Sequence, residues 1–225
     1  MSTGQSEGHS NSRSNGQRGG RDRVLAQIRQ SLGRSGPAAG PIPALPGPGP
    51  VPVFSGGVVD RFVAKMIEKS ATVDRLASMD EVGASVARYL AAIPVPAQVR
   101  ASGALRTLAW PAGLQVQYGA AVREDLSSVT PCFAAVAESG GIATLSGADT
   151  PSTLNFVPDN HIVIVHEAQV LPHFEDLWAK WRAHGQPIPR TVNIISGPSR
   201  TADIEQTIQL GAHGPRRLHI LLVAG

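Results

Sequence analysis

From residue 58 onward the apolar positions follow two textures. Some recur three and four apart, as on one face of a helix. Others form short β-branched runs bounded by glycine, proline or serine. The first texture predicts helices over 60–69 (Val59, Val63, Met66, Ile67), from Met79-Asp80 onward (Val82, Val86, Tyr89, Leu90), over 174–183 (Leu177, Trp178, Trp181) and over 202–210. The second predicts strands at 72–76, 98–101, 107–109, 115–118, 133–138, 142–146, 161–166, 191–195 and 218–223. The run at 161–166 is unbroken, as in a strand covered on both faces. Strands alternating with helices predict an α/β fold, a mostly parallel sheet flanked by helices in three layers.

The N-terminal quarter shows the first texture in one short stretch and the second nowhere. Residues 1–20 carry no apolar side chain after Met1, so they have nothing to bury and are expected to form a disordered basic tail. Over 21–35, Val24, Leu25, Ile28 and Leu32 fall at helical spacing and predict a short amphipathic helix. Residues 36–52 hold seven prolines and four glycines, the composition of an extended linker. The folded α/β domain is expected over 54–225.

Charge follows the same division. Six arginines against Glu7 and Asp22 give residues 1–35 a charge of +4; with +3 for the whole chain, the remainder carries −1. A nucleic-acid surface would place its basic cluster on the folded body, so no nucleic-acid partner is expected. No apolar run approaches the roughly 18–20 residues of a membrane span, and the polar N-terminus lacks the apolar core of a signal peptide. The expected location is the cytoplasm. The single cysteine, Cys132, excludes an intramolecular disulfide and an all-cysteine iron–sulfur site on one chain. In its apolar segment it reads as a buried small hydrophobe.

Four turns carry candidate chemistry. Glu138-Ser139-Gly140-Gly141, followed at Thr144 by a strand, offers a carboxylate beside glycines that let a ligand approach. The same pattern suits a tight turn with a solvated acid. Pro158-Asp159-Asn160-His161 sets a histidine at a strand start, as a ligand contact or a structural residue. The histidines show no metal-ligand spacing, and no metal is expected. Ser196-Gly197-Pro198-Ser199-Arg200-Thr201-Ala202-Asp203 runs from a predicted strand into a predicted helix, at the carboxyl edge where α/β sheets build sites. Its hydroxyls and free helix N–H groups suit an anion or serve as caps. Finally, His213 and Gly214 lie in Gly211-Ala212-His213-Gly214-Pro215, where the imidazole is placed to exchange a proton or to cap a helix.

Together, Glu138-Ser-Gly-Gly-Ile-Ala-Thr, Pro158-x-x-His161-Ile-x-Val, Ser196-Gly-Pro-Ser-x-Thr-Ala-Asp-Ile-Glu and Gly211-x-His-Gly-Pro resemble the LUD-domain family, in its C-type, YkgG-like branch. The resemblance implies a fold like that of the NagB, RpiA and CoA-transferase group. It implies a role in oxidising L-lactate to pyruvate beside A- and B-type iron–sulfur partner proteins. On this reading the chain itself holds no cofactor and is a non-redox subunit that binds a small carboxylate or organises its partners. Glu138 and His213 are the candidate catalytic groups. Ser139, Gly140, Thr144, His161, Ser196, Gly197, Ser199, Thr201, Asp203 and Gly214 are the candidate substrate contacts. Two other readings stay open: an acyl-CoA or sugar-phosphate type enzyme using Glu138 as nucleophile, and an assembly module tethered by the N-terminal helix.

Overall fold

Six parallel strands form the centre of the C-terminal unit, residues 50–225. The structure, a computed structural model, describes residues 13–34, 49–187, 189–201, 209–210 and 213–224. The other unit, residues 1–49, contributes one described element, helix α1 (Arg13–Ser31). That helix begins eight residues before the periodicity at 21 predicts, inside the stretch expected to lack structure.

Along the second unit run α2 (Val58–Glu68), β1 (Thr72–Leu76), α3 (Val82–Ala91), β2 (Gln98–Ala101), β3 (Gln115–Tyr118), β4 (Ser127–Pro131), β5 (Ala134–Val136) and β6 (Gly141–Leu145). There follow α4 (Thr153–Phe156), β7 (Asn160–His166), β8 (Val170–Leu171), α5 (Phe174–His184), β9 (Val192–Ile195), β10 (Arg200–Thr201), β11 (Gln209–Leu210) and β12 (Arg217–Val223). The main sheet has the order β1-β12-β7-β4-β2-β3. Its register sets His161 of β7 between Ser128 of β4 and Leu218 of β12.

The apolar runs explain the centre. From Leu218 to Val223 every residue of β12 is buried, and so is every residue of β7 from Asn160 to Val165. One face of this sheet packs Ile162, Ile164, Leu221 and Val223 against Val82, Val86 and Leu90 of α3. The opposite face packs Val163, Val165, Ile220 and Leu222 against Phe62 and Met66 of α2 and Ile142 of β6. Period-two alternation thus commits each strand to two cores.

A second sheet, β8-β5-β6-β9, separates that inner core from α5, whose Leu177 covers Ala134, Val136 and Ala143. The predicted three layers are therefore four. This sheet is mixed: β5 with β6 and β6 with β9 are antiparallel, β5 with β8 parallel.

Other differences are local. Strand β4 (Ser-Ser-Val-Thr-Pro) has no apolar run to announce it. The strand expected at 107–109 is a turn after a short 3-10 segment, Gly103–Leu105. The helix expected over 202–210 meets extended backbone at its end: Gln209–Leu210 pairs antiparallel with Arg200–Thr201. Residues 202–208, Gly211 and Ala212 lie outside the described residues.

Candidate functional site

Strand β9 ends at Ile195 and delivers Ser196 and Gly197 to the gap between the two sheets. Across that gap lie the starts of β7 and β12. A cavity of about 230 Å³ opens here. His161, Ser196, Gly197, Ser199, His213 and Gly214 line it together with Asn155, Phe156, Ile194, Ile195, Pro215 and Leu218. Six sequence-selected residues from three separate turns therefore meet in one place. The edge differs from expectation. Ser196 follows the carboxyl end of a strand in the small sheet, but His161 and Leu218 are second residues of main-sheet strands. The cavity sits at the amino edge of the parallel sheet, because β9 belongs to the other sheet.

His161 is fully buried. Its Nε2 lies 2.7 Å from Thr130 Oγ1, and its Nδ1 has no hydrogen-bond partner. Removal from water pushes its pKa down to about 3, so near neutral pH it lines the cavity as an uncharged imidazole. Which nitrogen carries the proton depends on whether the Thr130 hydroxyl donates or accepts. The Ser199 N–H donates to the Pro215 carbonyl at 2.8 Å, and the His213 N–H to Ser199 Oγ at 3.4 Å. These bonds tie the two polar turns together and leave the His213 imidazole at an exposed position.

Ser196 Oγ accepts from Lys69 Nζ at 2.6 Å and stands 3.2 Å from the Ser139 and Gly140 carbonyls. The Glu138 turn is thus the backing of the cavity wall rather than its lining. Gly140 has φ +64°, and a Cβ there would come within 3.0 Å of the Lys65 Cβ. Only glycine meets both conditions without strain. Ser139 Oγ is buried without a partner.

Glu138 points elsewhere. By alternation it shares the α5 face with Ala134 and Val136, and its Oε2 lies 2.6 Å from His173 Nδ1. The two expected catalytic groups are therefore differently placed: His213 lines the cavity, and Glu138 is engaged by His173. Thr144, on the opposite face of the small sheet, accepts from Asn155 Nδ2 at 2.9 Å and lines a second cavity of about 250 Å³ with Thr130, Cys132 and Asn155. Thr201 is described only by its backbone in β10, and Asp203 lies outside the described residues.

Lys69, Thr130, Asn155 and His173 have no motif to mark them. Each is recognisable only from what it touches in three dimensions. Cys132 is buried, and burial pushes its thiol up to about 12, which leaves it inert as a nucleophile. Among the described residues no group of three or more histidine, cysteine, aspartate or glutamate side chains is placed to hold a metal ion. Nor is any described helix long and apolar enough to cross a membrane.

Comparison with known proteins covers this same region. The profile of the LUD domain matches residues 127–223, from the first residue of β4 to the last of β12. This segment is similar to the LUD domain. Lactate utilization protein C of Bacillus subtilis (strain 168) is 33% identical over 92 residues, 40% of this chain and 38% of that protein. The uncharacterized protein YkgG of Escherichia coli (strain K12) is 36% identical over 89 residues, 38% of each chain. Lactate utilization protein C of an Exiguobacterium species is 35% identical over 106 residues, 46% of each. The match thus spans less than half of these relatives' length. In the crystal structure of a DUF162 family protein from Deinococcus radiodurans, the same fold covers 75% of this chain and 96% of the other. The TM-score is 0.56 at 22% identity, which speaks for architecture alone. The LUD segment contains every cavity-lining residue named above. Lys69, which meets Ser196, lies outside it.

Proposed function

We propose that this chain serves lactate utilisation as a non-redox subunit that holds a small carboxylate, with electrons leaving through iron–sulfur clusters of A- and B-type partner proteins. The cavity carries the proposal. Its described lining contains hydroxyls, imidazoles and an amide but no aspartate or glutamate, which suits an anion of metabolite size. Relatives named lactate utilization protein C match the segment that builds it. The one cysteine, buried and held as a thiol, agrees with clusters being carried by partners.

The roles follow from contact. Ser199 keeps its hydroxyl proton available while accepting from the His213 N–H. His161 offers an uncharged Nδ1 suited to the hydroxyl or keto oxygen of a 2-oxygenated acid. His213, at the exposed end, is the group that exchanges protons with water. A CoA-transferase-like reading asks for a carboxylate free to attack. Glu138 is instead spent on His173 and does not line the cavity.

Deleting the gene in its host is expected to abolish growth on L-lactate while leaving growth on pyruvate intact. Normal growth on L-lactate would end the assignment. The purified chain, given L-lactate and an artificial electron acceptor, is expected to show no turnover. Measurable pyruvate formation would remove the non-redox role.

A further inference from the structure

We infer that Lys69 is the charge anchor of this cavity. Its ammonium, held against the lining residue Ser196 though Lys69 is not itself among the lining residues, takes the anionic end of the ligand. The inference deepens the carboxylate-binding reading and rests on it.

Lys69 caps the C-terminal end of α2, far in sequence from the family segment. Its Nζ donates to Ser196 Oγ at 2.6 Å. The Ser196 hydroxyl has two carbonyl acceptors at 3.2 Å for its own proton, so its lone pair is turned to the ammonium. Ser196 is thus a strut for Lys69 rather than a donor to the ligand, which revises the role its motif suggests.

An ammonium carries three donors, and Ser196 uses one. Among the described residues no carboxylate lies within salt-bridge distance of Lys69, whereas the neighbouring Lys65 is paired with Glu68 at 2.7 Å. The backbone packs closely at this point. Gly197 has φ +102°, and a Cβ there would come within 3.0 Å of the Lys69 carbonyl oxygen. The loop that lines the cavity therefore lies directly on the residue that supplies the charge.

The rest of the cavity makes that charge decisive. His161 is uncharged, and no acidic side chain faces the described lining. Arg200 donates to Ser70, the residue after Lys69, and adds a second cation beside it. Positive charge beside a partly apolar cavity whose described lining holds no acid selects an anion and holds its uncharged part inside.

A lysine at a helix C-terminus also complements the helix dipole, so a loss of stability alone would not establish the anchor. The test uses the full chain, titrated by NMR with L-lactate, inorganic phosphate and uncharged L-lactamide. Lys69→Met is expected to weaken L-lactate at least about tenfold, the loss of one charge-assisted hydrogen bond, with L-lactamide unchanged. Lys69→Arg should keep most of the affinity. Equal L-lactate binding by wild type and Lys69→Met would overturn the anchor and leave the carboxylate reading standing. Phosphate binding that depends on Lys69, without L-lactate binding, would uphold the anchor and remove L-lactate as ligand. Binding of neither anion by the wild type would end both. Should Lys69→Met not fold, the wild type decides. Its L-lactate affinity is expected to fall as salt rises from about 0.02 to about 0.5 M, and a flat salt response would overturn the anchor.

Discussion

The two faces of the main sheet carry two buried histidines in adjacent strands, and they are treated differently. His219 of β12 faces α3. Its Nδ1 lies 2.7 Å from Thr72 Oγ1, and its ring stacks on Tyr89 at 4.0 Å, nearly parallel at 6°. His161 of β7 faces the small sheet, with one hydroxyl partner and a cavity beside it. Both rings are uncharged for the same reason, burial, which lowers His219 to about 4 and His161 to about 3. One ring is stacked on an aromatic neighbour in the α3 layer. The other is a polar group kept dry beside a space. The α3 face gains stability from close fit, and the opposite face gives up some of that fit to keep a chamber open.

Truncations of large side chains on the two faces test this contrast most strongly. Leu221, fully buried on the α3 face, should cost about 3–5 kcal/mol as Leu221→Ala in urea unfolding. Leu218, equally buried but already lining the cavity, should cost about 2 kcal/mol as Leu218→Ala, since part of its surroundings is already void. Equal losses would show that the two faces are packed alike.

Acid acts on both faces at once. Both folded pKa values lie below the ordinary 6.5, so the unfolded chain binds protons more readily. Stability is then complete above about pH 6.5 and declines as pH falls toward 4 and 3, by up to about 1.4 kcal/mol per pH unit for each ring. Thermal unfolding across that range should show the decline, and His161→Gln should flatten it. Asp74, 3.9 Å from His219 Nε2, opposes the shift there, so His219→Gln should flatten it less. A pH-independent melting temperature would contradict both burials.

The cavity face also depends on its glycine backing. Gly140→Ala forces a Cβ toward Lys65 at positive φ and should cost about 1–3 kcal/mol in chemical unfolding. It should also weaken ligand binding, because the Gly140 carbonyl helps brace Ser196. Glu138→Gln should matter least. The pair with His173 is partly exposed, at 21% and 18%, so about 1 kcal/mol or less is expected, with ligand titration unchanged. A large loss of binding in Glu138→Gln would place that carboxylate back at the site.

The strands built from β-branched runs, β7 and β12, were legible in sequence because burial on both faces leaves no polar interruption. Helices α2 and α3 were legible from their spacing, and the polar turns from their glycine, serine and histidine content. Strand β4 was not, since Ser127, Ser128 and Thr130 find buried partners that only the fold supplies, such as the Leu154 carbonyl and His161. Local pattern also carries no sign of which sheet a strand joins. Strand β9 therefore read as part of a parallel sheet, and the site was expected at the wrong edge. Lys69 was invisible for a related reason: 127 positions separate it from the hydroxyl it meets.

The pairing of β1 with β12, and of β2 with β4, sets the limits of this module. Both guards come from upstream of residue 127. Excised at the family boundaries, the segment would bare hydrogen-bonding rows along β12 and β4, an invitation to intermolecular strand addition. The stretch that carries the shared motifs is thus dependent on its less recognisable upstream neighbour for solubility as well as for shape.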